Sequence, residues 1–187
     1  ISYECGWMNC KGCALGVAIG LAPGDSTRAE TLLSMRAHDI KKYVIYPCDG
    51  KNAKFIVNHS FEPLTLGHLV VQPVKCQKSS DQIHDLDPLE AKRLFTVVQA
   101  SSKALQELLN PPRIYFWSFN EQSNCNNWHL HVHVAPRCIS LRGSDWLYFL
   151  DKAPNKAGRV DESTIKKLVV QLKEKMSRIA ADYIPVA

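Results

Sequence analysis

The sequence predicts an α+β fold built on an antiparallel sheet, and three observations carry that expectation. Short β-branched and aromatic runs separated by turn residues occupy positions 43–73. One long amphipathic helix with clear start and stop signals follows, and then two further strands and a late helix complete the order βββαββα. Tyr43–Tyr46 reads as the first strand, and Asp49-Gly50 is the turn signal of the loop behind it. Lys54–Asn58 is the returning strand and Gly67–Gln72 the third. Asp87-Pro88-Leu89-Glu90 opens the helix with an Asp N-cap, proline in the first turn and Glu three residues after the cap. Leu94, Val97 or Val98, Ala104 or Leu105, and Leu108 recur at helical spacing until Asn110-Pro111-Pro112 stops it. Ile114–Phe119 is a strand, Asn120–Asn127 a polar loop, and a second helix runs from about Asp161 to Ala181 on Ile165, Leu168, Leu172, Met176 and Ile179. Residues 1–38 read as an appended segment: a cysteine-rich start, a run of small residues, then the turn Ala22-Pro23-Gly24-Asp25.

A chain of 187 residues suits one domain with an extension and can bury a substantial core. Its net charge of +5 suits an anionic small molecule but is too mild for a nucleic-acid surface, so a nucleic acid is not an expected partner. The longest apolar run near the start, Ala14–Ala22, is too short to span a bilayer. The 7 cysteines, an odd number spread over the chain, point to a reducing compartment, hence a cytoplasmic location. The chain opens on Ile1 rather than Met, which keeps open an organellar location after loss of a targeting peptide.

Residues 129–137, His-Leu-His-Val-His-Val-Ala-Pro-Arg, carry the chemistry. Alternation along a strand puts His129, His131 and His133 on one face and Leu130, Val132 and Val134 on the other. Imidazole acts as nucleophile, base or acid near neutral pH. From spacing alone, a metal-binding histidine strand or a chance polar face competes with a reactive one. The nonapeptide resembles the histidine-triad signature His-x-His-x-His-x-x-Pro-Arg, and Asn58–Pro73 resembles the family's Asn…Pro…Gly-His segment ahead of its helix. The resemblance spans about residues 40–140. It implies a histidine-triad α+β fold with one long central helix, a homodimer that extends the sheet, and chemistry at the α-phosphate of nucleotides through a nucleotidyl-histidine. The domains are then an N-terminal extension with metal-ligand cysteines, 1–38, and a triad domain, 39–187.

By that resemblance His131 is the nucleophile, His133 contacts the phosphate and protonates the leaving group, and His129 is the flanking triad member. His68, after Gly67, matches the histidine that fixes the nucleophile's tautomer and orientation; a satisfied strand histidine is the plain alternative. Asn58 matches a ribose contact, Asn120 a phosphate contact, and Asn126 falls where a phosphate-binding serine usually sits. Asn and Ser are also ordinary in turns and loops. Asn120–Trp128 departs from the family in lacking glycines, which implies a different loop and a different substrate preference. Phe55-Ile56-Val57 would line an apolar base pocket, although core packing explains that strand equally well.

Cys10-Lys11-Gly12-Cys13 is a C-x-x-C suited to zinc; thioredoxin-like redox chemistry competes, but no βαβ pattern follows it. Zinc-containing relatives, including galactose-1-phosphate uridylyltransferases, add a histidine three residues after the proline of the Gly-His strand and the first triad histidine. Here Cys76 stands three after Pro73, so the implied ligands of a structural Zn²⁺ are Cys10, Cys13, Cys76 and His129. The expected activity is hydrolysis of dinucleoside polyphosphates or nucleoside phosphoramidates to a nucleoside monophosphate. A nucleotidyltransferase using phosphate or a sugar phosphate is the alternative. The transferases resemble His-x-His-x-Gln, whereas the third position here is His133. A non-catalytic, zinc-stabilised binding module is the third class, and an intact triad speaks against it.

Overall fold

The structure, a computed structural model, describes residues 10–47, 53–74, 83–118, 129–137 and 160–183. Helices α1 (Lys11–Ala18), α2 (Ser26–Leu33) and α3 (Ala37–Ile40) precede strands β1 (Val44–Tyr46), β2 (Phe55–His59) and β3 (Leu69–Pro73). A 3₁₀ turn at Ile83–Asp85 leads into α4 (Pro88–Leu109), followed by β4 (Ile114–Trp117), β5 (Val132–Pro136) and α5 (Glu162–Tyr183). The strands form one sheet in the order β1-β2-β3-β5-β4 with every neighbouring pair antiparallel. The α+β fold and the element order expected from periodicity are what is found.

Helix α4 starts where its cap demands. Asp87 Oδ1 accepts the N–H groups of Leu89 at 2.8 Å and Glu90 at 2.9 Å, satisfying two donors that have no partner inside the helix. Asn110, left-handed at φ 44°, ends it, and Pro111 cannot continue it. Its apolar stripe Leu94, Val97, Val98, Ala104 and Leu105 is buried, as is the α5 stripe Ile165, Leu168, Val169, Leu172, Met176 and Ile179. Both helices pack on the sheet face carrying Phe55, Val57, Leu69, Val71, Leu130, Val132 and Val134. The inward turn of Leu130, Val132 and Val134 forces the triad histidines toward the opposite face.

That opposite face is partly covered by the N-terminal segment, which the sequence presents only as an extension. Ala14, Leu15, Val17, Ala18, Ala29 and Ile40 form a second apolar cluster with Val44 of β1, Ile56 of β2 and Val74 just past β3. Its helices rest on close approach: a Cβ on Gly16 would lie 2.7 Å from the Val74 carbonyl oxygen. Asp25, at the end of the expected turn, also caps α2 by accepting from Thr27 and Arg28. A division at residue 38 falls inside α3.

Gly67 is the hinge between the 60–66 loop and β3. It holds φ +83°, and an added Cβ would lie 2.8 Å from Leu109 and 2.9 Å from Leu105 of α4. Gly67→Ala should therefore destabilise by about 2–5 kcal/mol, from backbone strain plus overpacking. Urea unfolding reads this; a midpoint unchanged from the parent would contradict it.

Candidate active site and metal centre

Strand register assembles the site. Asn58 lies opposite Val70, Val70 opposite His133, and His133 opposite Trp117, one row across four strands on one face. His131, two residues before His133, presents its ring edge to it with centroids 4.8 Å apart. His131 Nδ1 lies 2.8 Å from the His129 carbonyl oxygen. A carbonyl can only accept, so Nδ1 carries the proton and the neutral ring has its lone pair on Nε2. Ser118 Oγ donates to the His131 carbonyl at 2.7 Å and pins that stretch of backbone to the end of β4.

His68 makes its hydrogen bond to His133. Leu64 N–H donates to His68 Nδ1 at 3.1 Å, which leaves the His68 proton on Nε2. That N–H donates to His133 Nδ1 at 2.9 Å. The reason is register: Val70 sits opposite His133, and His68 precedes it on the same face. His133 is thereby held as the Nε2–H tautomer, the nitrogen left for a ligand. Burial, with the neighbouring His133, His59 and His131 charges adding to it, pushes His68 down to about 3. Burial and then His131 push His133 down to about 4. His59, wholly buried, donates from Nδ1 to the Ser60 carbonyl and accepts Gly67 N–H on Nε2, closing the loop that carries Leu64. Burial lowers it too, against the opposing pull of that carbonyl.

His129 faces the N-terminal segment. Cys10 Sγ and Cys13 Sγ lie 3.5 and 3.6 Å from its Nδ1, and all three donor atoms lie within 4.8 Å of one another. Bonds of about 2.3 Å to sulfur and 2.0 Å to nitrogen in a tetrahedron put the two donors roughly 3.5 Å apart, so the spacing fits a zinc-sized ion. The chemistry fits as well. His129 Nε2 donates to the Pro73 carbonyl at 2.6 Å, which leaves the Nδ1 lone pair for a metal. Cys10 Sγ caps α1 and accepts Cys13 N–H at 3.4 Å. Gly12 is required here, because a Cβ would lie 2.2 Å from the His129 ring. Gln72 Nε2 donates to the Gly12 carbonyl at 3.0 Å and anchors the turn to β3. His129 thus gives its ring to the cysteines and its carbonyl to His131.

Asn58 is buried, donates from Nδ2 to the His59 carbonyl, and keeps an Oδ1 without a hydrogen-bond partner. Cys76, Asn120 and Asn126 lie outside the described residues. The base pocket expected at Phe55–Val57 is filled by packing: Phe55 and Val57 enter the α4 core, Ile56 the N-terminal cluster. Trp117, Ser118 and His59 are the neighbours that sequence reading missed. Trp117 was detectable only through the β4–β5 register, Ser118 only through the end of that pairing, and His59 only through the return of the loop.

No protein-family model and no curated protein matches the chain. Solved structures do. A Zn-bound histidine triad family protein from Mycobacterium smegmatis is similar with TM-score 0.57 and 18% identity, over 95% of this chain and 99% of that one. A hypothetical histidine triad nucleotide-binding protein from Sulfolobus tokodaii is similar with TM-score 0.54 and 17% identity, over 77% of this chain and 89% of that one. The C. elegans NitFhit protein gives TM-score 0.50 and 17% identity over 72% of this chain, which spans 27% of its length. The chain therefore has the histidine-triad fold. The triad strand β5 lies between β3 and β4 in the sheet.

The buried histidines set an acid limit on stability. Unfolded imidazoles protonate near pH 6.5, whereas His133 resists until about 4 and His68 until about 3. The unfolded chain binds more protons in that interval, so stability is full above about pH 6.5 and lost as pH falls toward 3–4. Urea midpoints should drop across this range; a level profile from pH 7 to 4 would count against the buried neutral rings.

Proposed function

We propose that the protein is a zinc-containing histidine-triad nucleotide hydrolase that releases a nucleoside monophosphate through a covalent His131 intermediate. The observation that carries the reading is the tautomer of His131: its Nδ1–H is committed to the His129 carbonyl, so Nε2 is the nucleophilic atom. Nε2 attacks the α-phosphorus and the bond to the leaving group breaks. The leaving atom accepts a hydrogen bond from His133 Nε2–H, on the ring whose Nδ1 His68 holds, and takes its proton from water. Water then attacks the phosphorus, restoring His131. The +5 charge favours an anionic substrate. The orphaned Asn58 Oδ1 supports a hydroxyl donor such as ribose, since a buried acceptor without a partner costs about 1–3 kcal/mol. Asn120 and Asn126 would contact phosphate, and dinucleoside polyphosphates or nucleoside phosphoramidates are the substrate class.

Zinc would be held by Cys10, Cys13, His129 and Cys76. Bound there, it supplies a cross-link between α1 and the triad strand, and no step of the reaction passes through it. A homodimer is supported by β4, the last strand of the sheet among the described residues, where Phe116 is 60% exposed and packs edge-on against Phe95, itself 41% exposed.

Three measurements test these assignments. His131→Ala should abolish turnover, a loss of at least about 10³-fold, while leaving the fold intact; near-parental kcat would sink the assignment. In oxygen-18 water the label should enter the monophosphate. Product that forms only with added phosphate or sugar phosphate, and without label, would move the protein to the transferases. The purified protein should contain one zinc per chain. Gly12→Ala and Cys10→Ser should lower metal content and thermal stability together, and full occupancy in either variant would refute the ligand set.

A further inference from the structure

Trp117 has no part in the chemistry described so far, yet its surroundings are unusual for a large aromatic. It lies on β4 beside the end of the triad strand and belongs to neither apolar core cluster. Its indole stacks on His133 with ring centroids 5.1 Å apart and planes 16° from parallel. It also contacts His68, at 5.5 Å and 30°. Around His133 the indole therefore covers a face, His68 holds Nδ1, and His131 meets the ring edge-on at 4.8 Å and 84°. The torsion about the Cβ–Cγ bond of histidine is soft and roughly two-fold, and one hydrogen bond to Nδ1 does not by itself fix the ring plane. A ring that flips would put Cδ2 where Nδ1 stood and lose its bond to His68. A broad flat surface against one face opposes tilting out of the plane, which any flip must pass through, and the His68 bond then selects between the two coplanar orientations. The pairing is built into the sheet, because Trp117 is the direct cross-strand partner of His133.

We infer that Trp117 is a positioning residue for His133, its indole holding the imidazole plane so that Nδ1 stays on His68 and Nε2–H is presented to the leaving group. The inference rests on the proposed hydrolase reading for its kinetic arm but not for its spectroscopic arm. Trp117→Leu removes the flat face while keeping an apolar side chain, and Trp117→Phe keeps the face. With a nucleotide conjugate whose leaving group must be protonated, the Leu variant should lose roughly three- to tenfold in kcat at little change in KM, the range an aromatic pair commands. The Phe variant should recover most of that loss. With a p-nitrophenyl nucleotide ester, whose leaving group departs without a proton, the Leu variant should stay within about twofold of the parent. A merely structural role would slow both substrates alike, and that outcome would overturn the inference. Independently of turnover, imidazole nitrogen-15 shifts should show His133 as one Nε2–H tautomer in the parent and the Phe variant, and as a mixture in the Leu variant. A single unchanged tautomer in the Leu variant would overturn the inference even if the protein proved to have no nucleotide substrate. An inactive parent with the predicted tautomer change would instead sink the hydrolase reading alone.

Discussion

The hydrogen bond from His131 Nδ1 to the His129 carbonyl is the constraint on which the site depends. An imidazole is a useful nucleophile only if one nitrogen keeps its lone pair and that nitrogen is always the same one. A side-chain partner would be free to titrate or rotate. A backbone carbonyl does neither, and this one is fixed because the His129 ring is itself anchored between the Pro73 carbonyl and two thiols. Rigidity thus passes from the N-terminal segment through one residue to the ring two positions later, His131, the proposed nucleophile. The same logic recurs at His68, oriented by Leu64 N–H, and at His59, held between Ser60 and Gly67. Main-chain groups set all of these tautomers, whereas His133 takes its proton position from another side chain.

This arrangement ties the described part of the N-terminal segment to the triad strand through His129. Helix α1 brings Cys10 and Cys13 to His129, and the helix is seated by Ala14, Leu15, Val17 and Ala18 against Ile56 and Val74. Those contacts cover the part of the sheet face beside the site. A metal at the thiols would add a covalent-strength tie to a contact that packing alone already makes, which is how small cores are commonly reinforced.

What the sequence made legible were features with local or periodic signatures. The capped start of α4 at Asp87, its stop at Asn110-Pro111, the buried stripes of α4 and α5, and the alternation of Leu130, Val132 and Val134 against the histidines all follow from neighbours within a few residues. The Cys10–Cys13 pair with His129 was readable only through family resemblance, since nothing local joins residues 119 apart in the chain. Helices α1–α3 were illegible because they pack through small residues such as Ala14, Gly16 and Ala18, which give little contrast between faces. The partner of His68 and the stack of Trp117 on His133 depend on the β3–β5 and β4–β5 registers. Register is set by which faces the whole sheet must bury, and so no window of sequence contains it.

The two histidines that resist protonation most, His68 and His133, are also the pair that share a hydrogen bond, and the coincidence has a physical consequence. Burial favours the neutral rings, and neutrality is what allows His68 Nε2 to donate while His133 Nδ1 accepts. A proton added to His133 Nδ1 would set two donors against each other. The free site therefore stores one defined proton on His133 Nε2. On the proposed reading, an anionic phosphoryl group arriving there would meet a hydrogen-bond donor already in place, with no tautomer to rearrange. Such preorganisation lowers a barrier by removing reorganisation from the reacting step. Its cost falls on acid stability, where buried neutral imidazoles oppose the protons that the unfolded chain accepts freely.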